Sequence, residues 1–164
     1  MLRVVAFACL FSLCASGSAR AEPQRTRLGV AFGASFPHGE LSWDPAFAWG
    51  FFVDLPLTSW FYLSPSTLVY ELDREGVADG FSATDISNSF KFAFDVDMVE
   101  LFAGFTVGLT SSNDLDVHFG GVGGLNFNVV EQFDVSVAVN YKVILDDASN
   151  INDLKILAGP AFRF

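Results

Sequence analysis

FDVSVAVNYKVILD, residues 133–146, is read by asking which period its apolar side chains keep. Phe133, Val135, Val137, Val139, Tyr141, Val143 and Leu145 fall on one face, and Asp134, Ser136, Ala138, Asn140, Lys142, Ile144 and Asp146 on the other. Successive side chains of a strand point to opposite sides, so a period of two predicts one long β-strand with an apolar and a polar face.

The same alternation extends outward in both directions. Leu28, Val30, Phe32 and Phe36 oppose Arg25, Arg27, Gly29 and Ser35, and Phe47, Trp49, Phe51 and Val53 oppose Ala48, Gly50 and Asp54. Phe90, Phe92, Phe94 and Val96 oppose Ser87, Ser89, Lys91 and Asp95, while odd positions from Val99 to Leu109 oppose Glu100, Gly104 and Gly108. Val117, Phe119, Leu125 and Phe127 oppose Asp116, His118, Gly120, Gly124 and Asn126. Leu154, Ile156, Ala158, Pro160, Phe162 and Phe164 oppose Lys155, Gly159 and Arg163. The stretch Trp60–Leu72 shows no clear face, because Pro65 and its serines blur it. Eight strands result, joined by tight connections at Leu57–Trp60, Val96–Met98 and Val129–Gln132. Longer polar segments lie around Pro37–Trp43, Asp73–Thr84, Thr110–Asp114 and Asp147–Asp153. Short turns at one end and longer loops at the other are the pattern of up-and-down barrels that cross an outer membrane.

Composition narrows the classes further. Nineteen Phe and 51% apolar residues are incompatible with a disordered chain, and a net charge of −10 with nine basic residues offers no phosphate-facing surface, so nucleic acid is not an expected partner. At the N-terminus, Arg3, an apolar run from Val4 to Cys14 and the small residues ending in Ala19-Arg20-Ala21 read as a cleaved secretory signal peptide, residues 1–21, before a barrel domain of residues 22–164. The run is shorter than the roughly 20 residues a helix needs to cross a bilayer. Cleavage would remove Arg3, Arg20, Cys9 and Cys14, moving the net charge from −10 to −12 and leaving no cysteine for disulfides, thiolate metal sites or nucleophilic chemistry.

A soluble barrel of the lipocalin type has the same alternation with its apolar face turned inward. Here the polar face is built from Gly, Ala, Ser, Thr and Asn with scattered charges. It suits the lining of a narrow lumen better than a water-facing coat, and the large apolar face exceeds what eight strands could enclose. WGFFVDLPLTSWFYLSPSTLVYELDREG from Trp49, and the ending ILAGPAFRF, resemble the small eight-stranded outer-membrane β-barrel proteins, the OmpA/OmpX-like class and the outer membrane protein β-barrel domain family. That resemblance implies an all-β, eight-stranded antiparallel up-and-down transmembrane barrel in the bacterial outer membrane. The implied partners are outer-membrane lipid and lipopolysaccharide, periplasmic chaperones and the barrel-assembly machinery, and the implied state is a monomer. It also implies that Ile156, Ala158, Pro160, Phe162 and Phe164 form the C-terminal assembly signal, with Ala158 and Pro160 departing from the usual occupants.

The expected functional feature is a lumen charge network of Arg25, Arg27, Asp54, Lys91, Asp95, Glu100, His118, Asp134, Lys142 and Arg163. Buried charges must pair, which predicts a structural plug with Arg27 against Asp54, and Arg163 with Arg25 sharing an acid; the alternative is a gate in a narrow channel. His118 with a lumen serine such as Ser87, Ser89 or Ser136 raises barrel-enzyme chemistry on lipid. No local signature accompanies it, and a neutral hydrogen-bonding histidine is the simpler reading. The glycines at 104, 108, 120, 121, 123 and 124 read as wall packing, since no strand-to-helix context for a phosphate loop exists. Acids at Asp73, Glu75, Asp79, Asp114, Asp146, Asp147 and Asp153 read as a solvated rim that could collect divalent cations. A structural or surface-interaction role without enzymatic activity or cofactor is the expected function.

Overall fold

The structure is a computed structural model and describes residues 25–38, 44–72, 81–96, 98–111, 115–145 and 151–164. The expected signal peptide, and the loop acids from Asp73 to Asp79 and at Asp114, Asp146 and Asp147, lie outside the described residues. The eight strands are β1 (Arg27–His38), β2 (Ala46–Pro56), β3 (Phe61–Leu72), β4 (Phe81–Val96), β5 (Val99–Ser111), β6 (Leu115–Val130), β7 (Phe133–Leu145) and β8 (Ile151–Arg163). Each pairs antiparallel with the next, and β8 closes on β1, so no sheet edge is left open. No helix among the described residues is long and apolar enough to cross a membrane.

Facing follows the period-two reading. Phe32, Phe47, Phe51, Phe94, Phe105, Phe119 and Phe162 are exposed around the outside, whereas Arg27, Asp54, Asp85, His118, Asp134, Lys142 and Lys155 are buried within. A wall that is apolar outside and ionic inside fits a hydrocarbon solvent, in which backbone groups must satisfy one another and a closed barrel does so. This inverted arrangement defines a membrane-spanning barrel.

Three features differ from the sequence reading. The strands run further than expected at the loop end, taking in Pro37–His38, residues 81–84, Thr110–Ser111 and Ile151–Asp153. The wall continues past the lipid band, and Ser, Thr and Asp are tolerated there because ladder hydrogen bonds, not apolar burial, hold it. β3 does have faces: Tyr62, Ser64, Leu68 and Tyr70 point inward. Two tyrosines on the lumen side disguise the alternation, and each is accommodated because its hydroxyl finds a carboxylate: Tyr62 donates to Glu100 at 3.2 Å and Tyr70 to Asp85 at 3.0 Å. The glycines divide between two faces. At Gly120 a Cβ would come within 1.9 Å of the Tyr141 carbonyl oxygen, so strand contact there requires glycine, whereas at Gly121 a Cβ would fit without strain, its nearest neighbour the Gly104 carbonyl oxygen at an ordinary van der Waals distance of 3.8 Å.

Two prolines interrupt the ladder. Leu57 N–H donates to Phe61 O at 2.9 Å, and the hydrogen-bonded pairs then recur every second residue, so the β2–β3 pair Val53–Pro65 is one that should exchange bonds. Proline has no N–H, the Val53 carbonyl has no strand donor opposite, and the register passes from Phe52–Ser66 directly to Leu55–Leu63. By the same count from Phe164 N–H to Thr26 O, Pro160 leaves the Val30 carbonyl without its donor in the β1–β8 ladder.

The depth of the apolar band supports a stability prediction. Val137→Arg, mid-strand on the outer face of β7, is expected to cost about 2–4 kcal/mol, whereas Val129→Arg, at the short-turn edge, costs about 0–1 kcal/mol. Unfolding titrations in phospholipid vesicles measure both, and equal losses would contradict a band centred on Val137.

Candidate functional site: a lumen closed at two levels

The short turns, Arg25 and Phe164 share one end of the barrel, and the longer connections share the other. Above the turn end lies the lower network. Arg27 from β1 reaches across the lumen and donates through Nη1 and Nη2 to both oxygens of Glu100 on β5, at 2.5 and 2.8 Å. Its Nε donates to Asp134 on β7 at 2.9 Å. Arg163 on β8 donates to the other Asp134 oxygen at 2.5 Å and to Asn128 at 3.0 Å, and Asn126 donates to Glu100 at 2.8 Å. Lys91 pairs separately with Asp54 at 2.8 Å, its ammonium 5.3 Å from the Phe52 ring centroid and 4.9 Å from that of Phe102. Three cations face three carboxylates, so this level is neutral.

The upper network centres on Asp85 of β4. One carboxylate oxygen accepts from Tyr70 at 3.0 Å and Thr110 at 2.8 Å; the other accepts from Lys142 at 2.6 Å and Lys155 at 3.1 Å. These four bonds saturate the acceptor capacity of the carboxylate. Lys155 also pairs with Asp153, which accepts from Ser35 at 2.7 Å, and its ammonium lies 3.7 Å from the Tyr70 ring centroid. Two lysines and two aspartates make this level neutral as well. The net charge of −10 is therefore carried outside both networks.

Hydrogen positions around His118 follow from its neighbours. Thr110 gives its proton to Asp85, so its oxygen accepts from His118 Nδ1–H at 2.8 Å. Nε2 is then bare and accepts from the Ser87 hydroxyl at 2.9 Å, and Ser87 in turn accepts from Lys142 at 3.2 Å. Ser87, His118, Thr110 and Asp85 thus form a relay with the order of a nucleophile, base and acid. It closes on itself through Lys142, and Ser87 is 3% exposed. Between the two levels lies a cavity of about 50 Å³ lined by the hydroxyls of Ser64, Ser89, Thr106 and Ser136 together with the apolar side chains of Phe52, Leu68 and Val122. The Thr106 hydroxyl there has no protein partner.

Several expected partnerships are corrected by this geometry. Arg27 and Asp54 are directly opposite in register, yet the long arginine side chain bonds across the lumen to Glu100 and Asp134, and Asp54 goes to Lys91. The acid shared by two arginines is Asp134, and the arginines are Arg27 and Arg163. Arg25 stands outside the lumen at the rim, paired with Glu131 in the turn after β6, where its hydrogen bond and charge hold the Glu131 carboxyl below the usual range. Asp95 shares the lumen parity but is exposed at the turn-end mouth, beside Arg25 and Glu100. Asp153, read as a loop acid, is fully buried in the upper network. Asp85 and Lys155 join the network beyond the expected set, and their parity with Ser87 and Arg163 carries the signal for it. Ile156, Ala158, Pro160, Phe162 and Phe164 all face outward on one line, with the Phe162 and Phe164 rings 5.2 Å apart. No group of His, Cys, Asp and Glu among the described residues could hold a metal ion.

Comparison with solved structures defines the class. Neisserial surface protein A superposes with a TM-score of 0.76 at 14% identity, over 85% of this chain and 97% of that one. OprG from Pseudomonas aeruginosa gives 0.62 at 12% identity over 85% and 94%, and outer membrane protein H (OprH) from the same organism gives 0.59 at 11% over 86% and 100%. The chain has the fold of the small eight-stranded outer-membrane β-barrels. No family model and no curated protein matches the sequence.

Proposed function

We propose that the protein is an integral barrel of the bacterial outer membrane with a closed lumen, acting through its loops and outer wall in a structural or surface-interaction role without enzymatic activity. The observation that carries this reading is the pair of neutral, buried networks spanning the lumen at two depths. A permeant ion would have to displace bonded side chains twice, against groups whose desolvation is already compensated by their partners. Outer-membrane lipid and lipopolysaccharide are the partners its apolar girdle suits. Periplasmic chaperones and the assembly machinery would meet it unfolded.

The relay at Ser87 favours a second reading, a barrel hydrolase acting on lipid. Against it stand the burial of Ser87 and the Lys142 N–H that its oxygen already accepts. Liposomes loaded with a small sugar and carrying the purified protein test both. They are expected to show no swelling-rate increase over empty liposomes and no phospholipid or lipid A hydrolysis. Solute flux would favour the channel, and hydrolysis lost in His118→Ala would favour the enzyme.

For assembly, deletion of Phe164 is expected to leave unfolded protein in the periplasm, because the terminal aromatic heads the outward line that the machinery would engage. Surface levels equal to the intact chain would count against that role.

A further inference from the structure

We propose that the outer wall around Asn88 is an interface for a second copy of this chain, joined by a reciprocal amide pair within the apolar band. This rests on the barrel being membrane-embedded, and it replaces the monomer expected from the sequence.

Asn88 lies on β4 between the inward-facing Ser87 and Ser89, so its side chain is on the outer face. Along that face Ile86 is above it, separating it from Thr84, and Phe90, Phe92, Phe94 and Val96 follow below, so the amide is flanked by apolar side chains on both sides. Its neighbours across the ladder are Pro65 on β3 and Val107 on β5. Among the described residues the Asn88 side chain makes no hydrogen bond. Directly beyond Pro65 in the same row is Val53 on β2, whose carbonyl lost its donor. Asn88 is thus an outward side chain with unmet polar capacity on a wall otherwise built to meet hydrocarbon.

An amide in hydrocarbon is costly unless it both donates and accepts, and acyl chains can do neither. Asn88 of the partner subunit supplies both groups at the same depth. A two-fold axis along the membrane normal, passing beside Asn88, lets each NH₂ donate to the other carbonyl, the self-complementary contact that such symmetry requires. The surroundings allow close approach. Pro65 is short and flat, and the Phe90 and Phe105 rings below are stacked at 4.8 Å with 19° between planes, forming a fixed apolar platform for the second barrel.

The test keeps Asn88 and reports from beside it. In a chain carrying Cys9→Ala and Cys14→Ala, Ile86→Cys is oxidised in isolated outer membranes and compared with Phe32→Cys on the distant β1 wall. The expected result is a disulfide-linked dimer for Ile86→Cys, at least tenfold above Phe32→Cys, that falls at least tenfold when Asn88→Leu is added. Each variant should still change gel mobility on heating, as a folded barrel does. Equal cross-linking with Asn88→Leu, or none above Phe32→Cys, overturns the proposal, as does cross-linking that depends on lipopolysaccharide hydroxyls and disappears in phospholipid vesicles. Absence of the heat shift in the parent chain would instead overturn the membrane-barrel reading beneath it.

Discussion

Arg27→Met is expected to destabilise the barrel by about 3–5 kcal/mol, since it removes one partner of a buried ionic network, strands Glu100 and leaves Asp134 with Arg163 alone. The size of the loss reflects geometry. Three of its guanidinium N–H groups are committed to carboxylate oxygens, and methionine replaces the volume but none of the bonds. Adding Glu100→Gln should recover part of the loss, with a coupling of about 0.5–3 kcal/mol, because Glu100 has no other salt-bridge cation among the described residues. Asp54→Leu should not recover it, because Asp54 is held by Lys91 and its removal strands that lysine instead. Urea titrations in phospholipid vesicles measure the cycle. Recovery by Asp54→Leu with none by Glu100→Gln would contradict the assignment.

Asp85→Ala is the second large effect, again about 3–5 kcal/mol by the same reasoning. Lys142 loses its only salt-bridge acid among the described residues, whereas Lys155 retains Asp153. Lys142→Met on the Asp85→Ala background should therefore restore more stability than Lys155→Met does. Equal recovery by the two lysines would mean that the upper network shares its charge more evenly than its bonds suggest.

What could be read in the sequence separates along a physical line. Facing is a local property of a strand, fixed by a period of two, and Arg27, Asp54, Glu100, His118, Asp134 and Lys142, which alternation turned inward, are buried in the structure, whereas Asp95, of the same parity, is exposed where its strand ends. Pairing depends on the tilt and closure of the whole barrel and on side-chain reach. Arg27 shows the consequence: its backbone neighbour is Asp54, but its partners lie on β5 and β7. In a narrow lumen a long side chain meets the far wall as readily as the adjacent strand. The upper network stayed hidden for a related reason. Asp153 sits where polar residues also begin a loop, and only the closure of β8 against β1 reveals that the strand has already started. In β3 the two inward tyrosines, Tyr62 and Tyr70, add to the blur from Pro65 and the serines, because an aromatic residue signals the lipid side until a carboxylate is found waiting for its hydroxyl.

Single-channel recording in planar lipid bilayers tests the closed lumen most directly. The intact protein is expected to insert without stepwise conductance at neutral pH in 1 M salt. A variant with both levels cut back to small neutral residues, Arg27→Ala, Glu100→Ala, Asp85→Ala and Lys142→Ala, is expected to conduct if it folds, as judged by its heat-dependent gel mobility. Discrete, ohmic conductance steps from the intact protein would contradict a lumen closed by paired charges.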